Sequence, residues 1–371
     1  MIYDPMLWET NMLDKKLVIV GGGYVGIELA KALESIMNVT LIEPREVFVH
    51  APAMIRALVE PSILESALMP YDKLLSRGLI IQDRVTSIED AGVTLSGGDR
   101  LDADYIVVAT GSWNGTVFKP KGIDIEAFRE AHREIHEKLQ AANTVAIVGA
   151  GAVGTELAGE VAYAMPDKKV TLISSQASLF PDLPPKLGVL LAKKLRSSGV
   201  TLILNARAEN LQSLVRPYAG QVTLSNGQSI EADLIIPAVG SQAKTDLLQL
   251  LPGARNGSRN RIVVDSYLRP SDYPNVFAAG DVADAGDSMT IVAASRQQPW
   301  LAKTLKALAQ GKKLDSLSPY SPWKKAPIFI PLGPEKGNSY LMIATFGDWV
   351  TRQMKGRDLF ISKYRKILGL S

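Results

Sequence analysis

Short apolar segments alternate along the chain with glycine-rich turns and with longer stretches of small residues at helical spacing. Residues 17–43 read as an apolar strand, a glycine-rich turn, a helix and a second strand, and residues 145–174 repeat this order. Strands that alternate with helices favour βαβ units and a parallel sheet. The first glycines of the two turns, Gly21 and Gly149, are 128 positions apart, so the pattern predicts an internal duplication.

A second pair of segments keeps nearly the same spacing. Residues 103–111 (ADYIVVATG) and 232–240 (ADLIIPAVG) each follow alternating apolar residues around a Gly-Gly or Asn-Gly turn, which predicts a β-meander. A repeat this long indicates two homologous domains, because solenoid repeats have shorter periods. We therefore predict an α/β protein with two Rossmann-like dinucleotide-binding domains, each with a β-meander insertion, and a small α+β C-terminal segment.

The last third of the chain has a different pattern. Residues 275–284 predict a short strand that ends in Ala-Gly-Asp, and a helix is expected from 291 to 308. Within residues 326–371, the stretches IFIPLG and SYLMIATFGDWV predict strands around a glycine-rich turn. The basic end of the chain interleaves apolar side chains, which favours either packing against the first of the two predicted domains or a surface that meets a membrane.

Both glycine turns fit the pattern G-x-G-x-x-G between a strand and a helix, which is the context that makes this motif informative. The first glycine permits the tight turn, the second lets the backbone approach a pyrophosphate, and the third packs the helix on the strand. The pyrophosphate then lies at the helix N-terminus, where free N–H groups favour anions. The two sets are Gly21, Gly23 and Gly26, and Gly149, Gly151 and Gly154.

The residue that ends the second strand distinguishes the two copies. Glu43 lies about 20 residues past the first turn, where a carboxylate binds the ribose hydroxyls of FAD or NAD. Ser174 takes this place in the second copy, with no acid to repel a 2′-phosphate and no adjacent arginine to bind one. This predicts tolerance of both NADH and NADPH. Asp281, in the Ala-Gly-Asp motif, is placed either to accept hydrogen bonds from a polyol or to cap the next helix.

The amino-acid composition excludes several classes of partner and redox site. The 371 residues are 46% hydrophobic and 21% charged, and the net charge of +3 gives no reason to expect a nucleic-acid partner. The absence of cysteine excludes a redox-active disulfide, a cysteine-bound iron–sulfur cluster and a thiolate zinc site. His132 and His136 share one helical face at a spacing that could bind a metal, but their charged neighbours favour a solvated helix. No metal site is predicted.

The sequence also bears on location. No run of 18 or more apolar residues occurs, so no transmembrane helix is expected. The N-terminus lacks the pattern of a secretory signal, and Ile2 stands where N-myristoylation needs glycine. We expect a cytoplasmic protein with possible peripheral membrane contact through its C-terminal segment, as a monomer or a homodimer.

These motifs together resemble the two-dinucleotide-binding-domain flavoprotein reductases. The stretches FVHAPAMIRALVE, GTELAGEV and KGRDLF are most similar to the apoptosis-inducing-factor-like branch, which includes the ferroptosis suppressor proteins. The resemblance implies an FAD-binding domain formed by residues 1–117 and 246–325, an NAD(P)H-binding domain at 118–245, and a C-terminal segment at 326–371. The first turn would bind FAD, the second NAD(P)H, and Asp281 the ribityl chain of FAD.

The resemblance also implies a set of site residues. Glu156 and Lys355 are the candidate catalytic residues, although Glu156 alone is equally well explained as complementing its helix dipole. Arg56 is placed either to bind the pyrophosphate or flavin carbonyls or to form an interdomain ion pair, and Glu160 is a possible buried partner for a basic residue. The predicted cofactor-binding residues are Gly21, Gly23, Gly26, Glu43, Arg56, Val85, Ala109, Thr110, Gly111, Gly149, Gly151, Gly154, Ser174, Gly240, Gly280 and Asp281.

The expected activity follows from the resemblance. It implies an FAD-dependent NAD(P)H:quinone oxidoreductase in which NAD(P)H gives hydride to FAD and a quinone such as ubiquinone accepts the electrons. Two alternatives remain at this stage. One is an NAD(P)H-dependent reductase of a small redox protein of the ferredoxin or rubredoxin type. The other is a redox-sensing or nucleic-acid-binding role with little turnover.

Overall fold

The computed structural model describes residues 14–114 and 118–370. The expectations about a signal sequence and about Ile2 concern residues outside these ranges. The predicted domain boundary at 117/118 also adjoins undescribed residues. None of the helices in residues 14–114 and 118–370 combines the length and the apolar composition that a membrane-spanning segment needs.

The first part of the chain forms a βαβ unit followed by short strands, as its pattern predicts. Its helices are α1 (Tyr24–Leu33), α2 (Ala51–Ala57) and α3 (Ser62–Ala67). Its strands are β1 (Lys16–Val20), β2 (Asn38–Ile42), β3 (Val47–Val49), β4 (Leu68–Pro70), β5 (Leu79–Ile81), β6 (Val85–Glu89), β7 (Gly92–Leu95), β8 (Arg100–Asp102), β9 (Tyr105–Val108) and β10 (Ser112–Trp113).

The second part repeats this order after a long helix. Its helices are α4 (Ile125–Ala141), α5 (Ala152–Ala164) and α6 (Pro185–Ser197). Its strands are β11 (Thr144–Val148), β12 (Lys169–Ile173), β13 (Thr201–Ile203), β14 (Tyr218–Thr223), β15 (Ser229–Pro237) and β16 (Gln242–Ala243).

The remaining residues return to the first sheet and then form the C-terminal segment. Their helices are α7 (Asp246–Gln249), α8 (Ile291–Ala309), α9 (Asp348–Thr351), a π-helix (Arg352–Gly356) and α10 (Ile361–Ile367). Their strands are β17 (Ile262–Val263), β18 (Val276–Ala278), β19 (Ala283–Asp284), β20 (Ile328–Leu332), β21 (Lys336–Tyr340) and β22 (Thr345–Phe346). The helix expected from residue 291 is confirmed, and so is the strand expected at IFIPLG. The strand expected at SYLMIATFGDWV was wrong in part, because only residues 339–340 and 345–346 belong to strands and Asp348–Thr351 is the helix α9.

Two five-stranded sheets form the centre of the protein. The first has the order β18-β9-β1-β2-β5 and is parallel throughout. The second has the order β13-β12-β11-β15-β14, in which only β14 is antiparallel to its neighbour. The strand that follows each glycine-turn helix therefore has the same place in both sheets. This arrangement confirms the predicted α/β fold class with two Rossmann-like halves.

The two insertions are less alike than the sequence suggests. In the first half, β6, β7 and β8 form a separate three-stranded antiparallel meander. In the second half, β14 and β15 form a hairpin within the main sheet, and the expected first strand is reduced to a single bridge between Ala208 and Leu224. The polar stretch before β14 has too few alternating apolar residues to form a full strand.

The C-terminal segment packs closely on the second half. Strand β20 lies against α5, and a Cβ at Gly159 would be 2.5 Å from Leu332 Cα. A side chain at Gly159 would therefore push the segment away. Helix α5 also contacts α2 of the first half. Helix α5 thus joins both halves and the C-terminal segment, and this junction positions the candidate site.

Candidate functional site

A cavity of about 1000 Å³ lies where the two halves meet. Its walls contain both glycine turns, the Ala109–Gly111 step, the late Gly-Asp turn and the C-terminal Lys355. A second cavity of about 560 Å³ shares Glu43, Thr110 and other residues with it. A long ligand can therefore extend from the first glycine turn toward both the meander and the second half.

The structure separates the predicted residues into three groups. The larger cavity is lined by Gly23, Glu43, Ala109, Thr110, Gly111, Gly151, Glu156, Gly240, Gly280, Asp281 and Lys355. The smaller cavity is lined by Gly21, Glu43, Val85 and Thr110. Neither cavity is lined by Gly26, Arg56, Gly149, Gly154 or Ser174.

The second and third glycines of each turn have different structural roles. A Cβ at Gly26 would lie 1.9 Å from Gly21 O, and one at Gly154 would lie 1.9 Å from Gly149 O, so both positions serve close packing. A Cβ at Gly23 would meet only one atom, at 4.0 Å, and one at Gly151 would meet nothing within 4 Å. These open positions face the cavity, where the backbone can approach a ligand. The turns therefore fit dinucleotides.

Glu43 is held in place by the first turn and by a residue that the sequence interpretation missed. Its carboxylate accepts a hydrogen bond from Gly22 N at 2.8 Å and pairs with Arg45 Nε at 2.7 Å. Burial alone raises the pKa of Glu43, but the charge and hydrogen bonds of Arg45 hold it below its usual range. Glu43 is thus an anion at neutral pH, and Arg45 adds a cation to the cavity wall. A basic residue two positions past Glu43 was the available signal.

Asp281 lines the cavity and does not cap α8. Its carboxylate accepts hydrogen bonds from Ser112 Oγ at 2.5 Å and from Lys119 Nζ at 3.1 Å. Burial raises its pKa, but Lys119 and Ser112 bring the pKa below its usual range. The cap of α8 is Thr290, whose side chain accepts a hydrogen bond from Ala293 N. The capping alternative for Asp281 was therefore wrong.

Glu156 and Lys355 form a buried ion pair at the cavity wall. Lys355 Nζ lies 2.6 Å and 2.7 Å from the two carboxylate oxygens of Glu156. The side chain of Glu156 is 3% exposed and that of Lys355 is 11% exposed. Burial raises the pKa of Glu156, and Lys355 opposes that shift. Glu156 is therefore engaged by a specific cation from the C-terminal segment and does more than complement the dipole of α5.

Arg56 has the ion-pair role and not the predicted cofactor contact. Its Nε and Nη2 atoms donate to the Glu160 carboxylate at 3.0 Å and 2.8 Å, and Nη1 donates to Gly356 O at 2.8 Å. Arg56 is 4% exposed and lines neither cavity. Each of its three guanidinium nitrogens already donates to a protein oxygen, so the interpretation of an ion pair between two parts of the protein was the better one.

The histidines of α4 are not on a solvated face. His132 is 2% exposed and packs edge-on against Phe128, with ring centroids 4.9 Å apart. His136 Nδ1 lies 2.8 Å from Leu58 O. The solvated interpretation was wrong because the charged residues of this helix lie on its opposite face. Across residues 14–114 and 118–370, no group of acidic or histidine side chains is arranged to hold a metal ion.

Lys244 is a further cavity residue that the sequence did not reveal. It lines both cavities, and its backbone accepts a hydrogen bond from Thr110 Oγ1 at 2.7 Å. Burial and the neighbouring Arg45 lower the pKa of Lys244 to about 8. Its location depends on the pairing of β10 with β16 across the two halves, which no local pattern predicts.

Comparison with known proteins agrees with this geometry. A model of the family described as pyridine nucleotide-disulphide oxidoreductase matches residues 4–67 and 72–310. Apoptosis-inducing factor homolog B of Dictyostelium discoideum is 31% identical, over 94% of this chain and 96% of the relative. Ferroptosis suppressor protein 1 of Homo sapiens is 27% identical, over 96% of both chains. The sulfide:quinone oxidoreductase of Aquifex aeolicus shares the fold, with a TM-score of 0.78, 18% identity and coverage of 96% and 92%.

Proposed function

Because the chain belongs to the pyridine nucleotide-disulphide oxidoreductase family, and is therefore an oxidoreductase that uses FAD and NAD(P)H, we propose that its electron acceptor is a quinone. The observation that carries this proposal is the larger cavity, which joins both glycine turns to the buried ion pair of Glu156 with Lys355 from the C-terminal segment. The chain has no cysteine, so a dithiol cannot relay electrons. The acceptor must then meet the flavin directly.

FAD is assigned to the first half. The open backbone at Gly23 suits the pyrophosphate, the anionic Glu43 suits the ribose hydroxyls, and Asp281 suits the ribityl hydroxyls. Val85 lines the adjoining smaller cavity, where the adenine would bind. Each of these groups offers the hydrogen-bond acceptor or the space that the corresponding part of FAD needs.

NAD(P)H is assigned to the second half, with its pyrophosphate at Gly151. Ser174 directly follows β12 and is buried, and its hydroxyl accepts a hydrogen bond from Gln176 N at 3.1 Å. Neither an acid to repel a 2′-phosphate nor an arginine to bind one adjoins Ser174 in the sequence. We therefore propose that the protein accepts both NADH and NADPH.

Glu156 and Lys355 supply fixed charges where the two halves meet. FAD, when bound, accepts hydride from the nicotinamide and passes electrons on. Lys355 Nζ lies 2.6 Å from the Glu156 carboxylate in a buried part of the cavity wall. This places a cation at the cavity without a net buried charge. Such a preorganised cation stabilises negative charge that develops beside it.

The C-terminal segment also offers features that suit an apolar acceptor. Four of its apolar side chains are exposed between residues 342 and 354, and Ile343 and Trp349 are 88% and 73% exposed. The segment that supplies Lys355 thus presents apolar surface as well. We propose that this surface allows peripheral contact with a membrane, where a quinone resides.

The acceptor can be tested directly with the purified protein. We expect a yellow flavin spectrum, and we expect NADH and NADPH oxidation to rise at least about tenfold above the oxygen background with a soluble ubiquinone analogue. Ferredoxin and rubredoxin are the matched alternatives and should give no comparable increase. Stimulation by a redox protein but by no quinone would identify the protein as a reductase of small redox partners. No stimulation by any acceptor would support a sensing role.

Lys244 makes FAD binding depend on pH. Its pKa of about 8 means that the flavin-free protein loses this charge between pH 7 and pH 9. An anionic ligand favours the protonated amine, so binding takes up a proton in this range and the affinity falls as pH rises. We expect the FAD Kd, measured by flavin fluorescence, to rise at least about threefold from pH 7 to pH 9. Lys244→Met should bind more weakly at pH 7 and lose this increase.

The exposed Lys312 provides the matched control. Lys312→Met removes the same charge outside both cavities, so its Kd should follow the unmodified protein at each pH. An equal pH dependence in Lys244→Met and in the unmodified protein would exclude Lys244 as the titrating group.

A further inference from the structure

Two buried ion pairs lie one turn apart on α5. Glu156 pairs with Lys355 of the π-helix, and Glu160 pairs with Arg56 of α2. Residues four apart on a helix share one face, so the two carboxylates are neighbours. The two anions and two cations balance, which lets the group remain buried. Only the Glu156–Lys355 pair lines the cavity.

Arg56 contacts both elements that carry the Glu156–Lys355 pair, which are α5 and the π-helix. Its Nε and Nη2 atoms bind the Glu160 carboxylate, and its Nη1 atom donates to Gly356 O at 2.8 Å. Gly356 directly follows Lys355 in the chain. The planar guanidinium therefore links α5 to the backbone that carries Lys355, while Arg56 itself belongs to the first half of the protein.

The backbone at Gly356 packs closely against the turn that contains Pro334. A Cβ there would lie 2.9 Å from Pro334 O, in the turn between β20 and β21. The π-helix is thus confined by that turn and by Arg56. A shift of Gly356 away from Arg56 would carry Lys355 with it, and Lys355 Nζ is held at the cavity by Glu156 and by a longer contact of 3.4 Å to Phe329 O.

We propose that Arg56 is a positioning residue, which fixes Lys355 against Glu156 by binding Glu160 and Gly356 O at the same time. This inference rests on the proposed role of the Glu156–Lys355 pair. It makes the relative placement of α2, α5 and the C-terminal segment a condition for activity. Arginine is required because its rigid fork offers parallel donors to a carboxylate and a further donor to a carbonyl, which lysine cannot reproduce.

The main test variant is Arg56→Lys, which keeps the charge opposite Glu160 and loses the fork. A second variant, Arg56→Met/Glu160→Met, removes both charges together and leaves no unpaired buried carboxylate. Val161→Ala is the matched control, since Val161 is a fully buried apolar residue of α5 and its truncation weakens packing without changing a charge. Flavin content and Tm are measured for all variants.

The first readout does not depend on activity. An amine-reactive reagent is applied to each purified protein, and the rate of Lys355 labelling is followed by mass spectrometry. We expect Lys355 to react at least about fivefold faster in Arg56→Lys and in the double variant, because it is released from its buried pair. Val161→Ala should stay within about twofold of the unmodified protein. Unchanged labelling of Lys355 in both Arg56 variants would overturn the proposal.

The second readout is a double-mutant cycle on flavin reduction at saturating NADH. Arg56→Lys should slow this step about tenfold with little change in the NADH concentration for half-saturation. In a Lys355→Met background the same substitution should change the rate less than about twofold. Equal slowing in both backgrounds would show that Arg56 acts independently of Lys355. Faster Lys355 labelling combined with normal flavin reduction in Lys355→Met would refute the proposed role of Lys355 and leave its positioning by Arg56 supported.

Discussion

Replacement of Lys355 by Met is expected to slow flavin reduction by NADH about 100-fold while the protein stays folded and yellow. The substitution keeps most of the volume of the side chain and removes the cation that lies 2.6 Å from Glu156. Burial already raises the pKa of Glu156, and loss of Lys355 removes the strongest opposing influence. The pKa of Glu156 should then rise further, and the cavity wall loses its cation.

Stopped-flow measurement of flavin absorbance gives the rate directly. Lys194→Met is the matched control, because Lys194 also pairs with an acid of the C-terminal segment, Asp348, at 2.6 Å, but lies outside both cavities. The control should retain its rate within about twofold. A Lys355→Met enzyme that reduces its flavin within about threefold of the unmodified rate would show that the ion pair is structural only.

The parts of the fold that could be predicted are those with a strong local signal. The glycine turns have a fixed spacing, an apolar strand before them and a helix after them, and both halves follow it. The helix expected from residue 291 likewise has a long pattern and begins where it was expected. The prediction of a second meander was wrong because the polar stretch before β14 has too few alternating apolar residues, so its first strand is only a single bridge in the structure.

Site residues could be predicted from the sequence only where a short local motif indicates a single function. Glu43 directly follows β2 and Asp281 lies in the short turn after β18, both in recognisable motifs, and both line the cavity. Arg56 and Lys244 owe their roles to partners about 100 residues or more away in sequence, Glu160 and Thr110 respectively. No spacing rule encodes such pairs. Lys355 was identified through family resemblance, and its contact with Glu156 required the C-terminal segment to pack on α5.

Substitutions of the second glycine in each turn should separate the two dinucleotide sites. A Cβ at Gly23 or at Gly151 has room within the protein, and both residues have ordinary negative φ angles of −77° and −71°. We expect Gly23→Val to lower flavin occupancy at least about tenfold, because the side chain takes the space where a pyrophosphate would approach the backbone. Gly151→Val should retain flavin and raise the NADH concentration for half-maximal flavin reduction at least about tenfold.

The third glycines provide the contrast, because their effect should be on folding. A Cβ at Gly154 would lie 1.9 Å from Gly149 O and 3.1 Å from Ala238 Cβ, so α5 would have to move off its strand. We expect Gly154→Ala to lower the free energy of unfolding by at least about 2 kcal/mol, measured by urea denaturation. Gly151→Ala should change the free energy of unfolding by less than about 0.5 kcal/mol.

The valine variants also test which half binds which cofactor. If Gly151→Val instead lost flavin and Gly23→Val lost NADH affinity, the two cofactors would have to be exchanged between the halves.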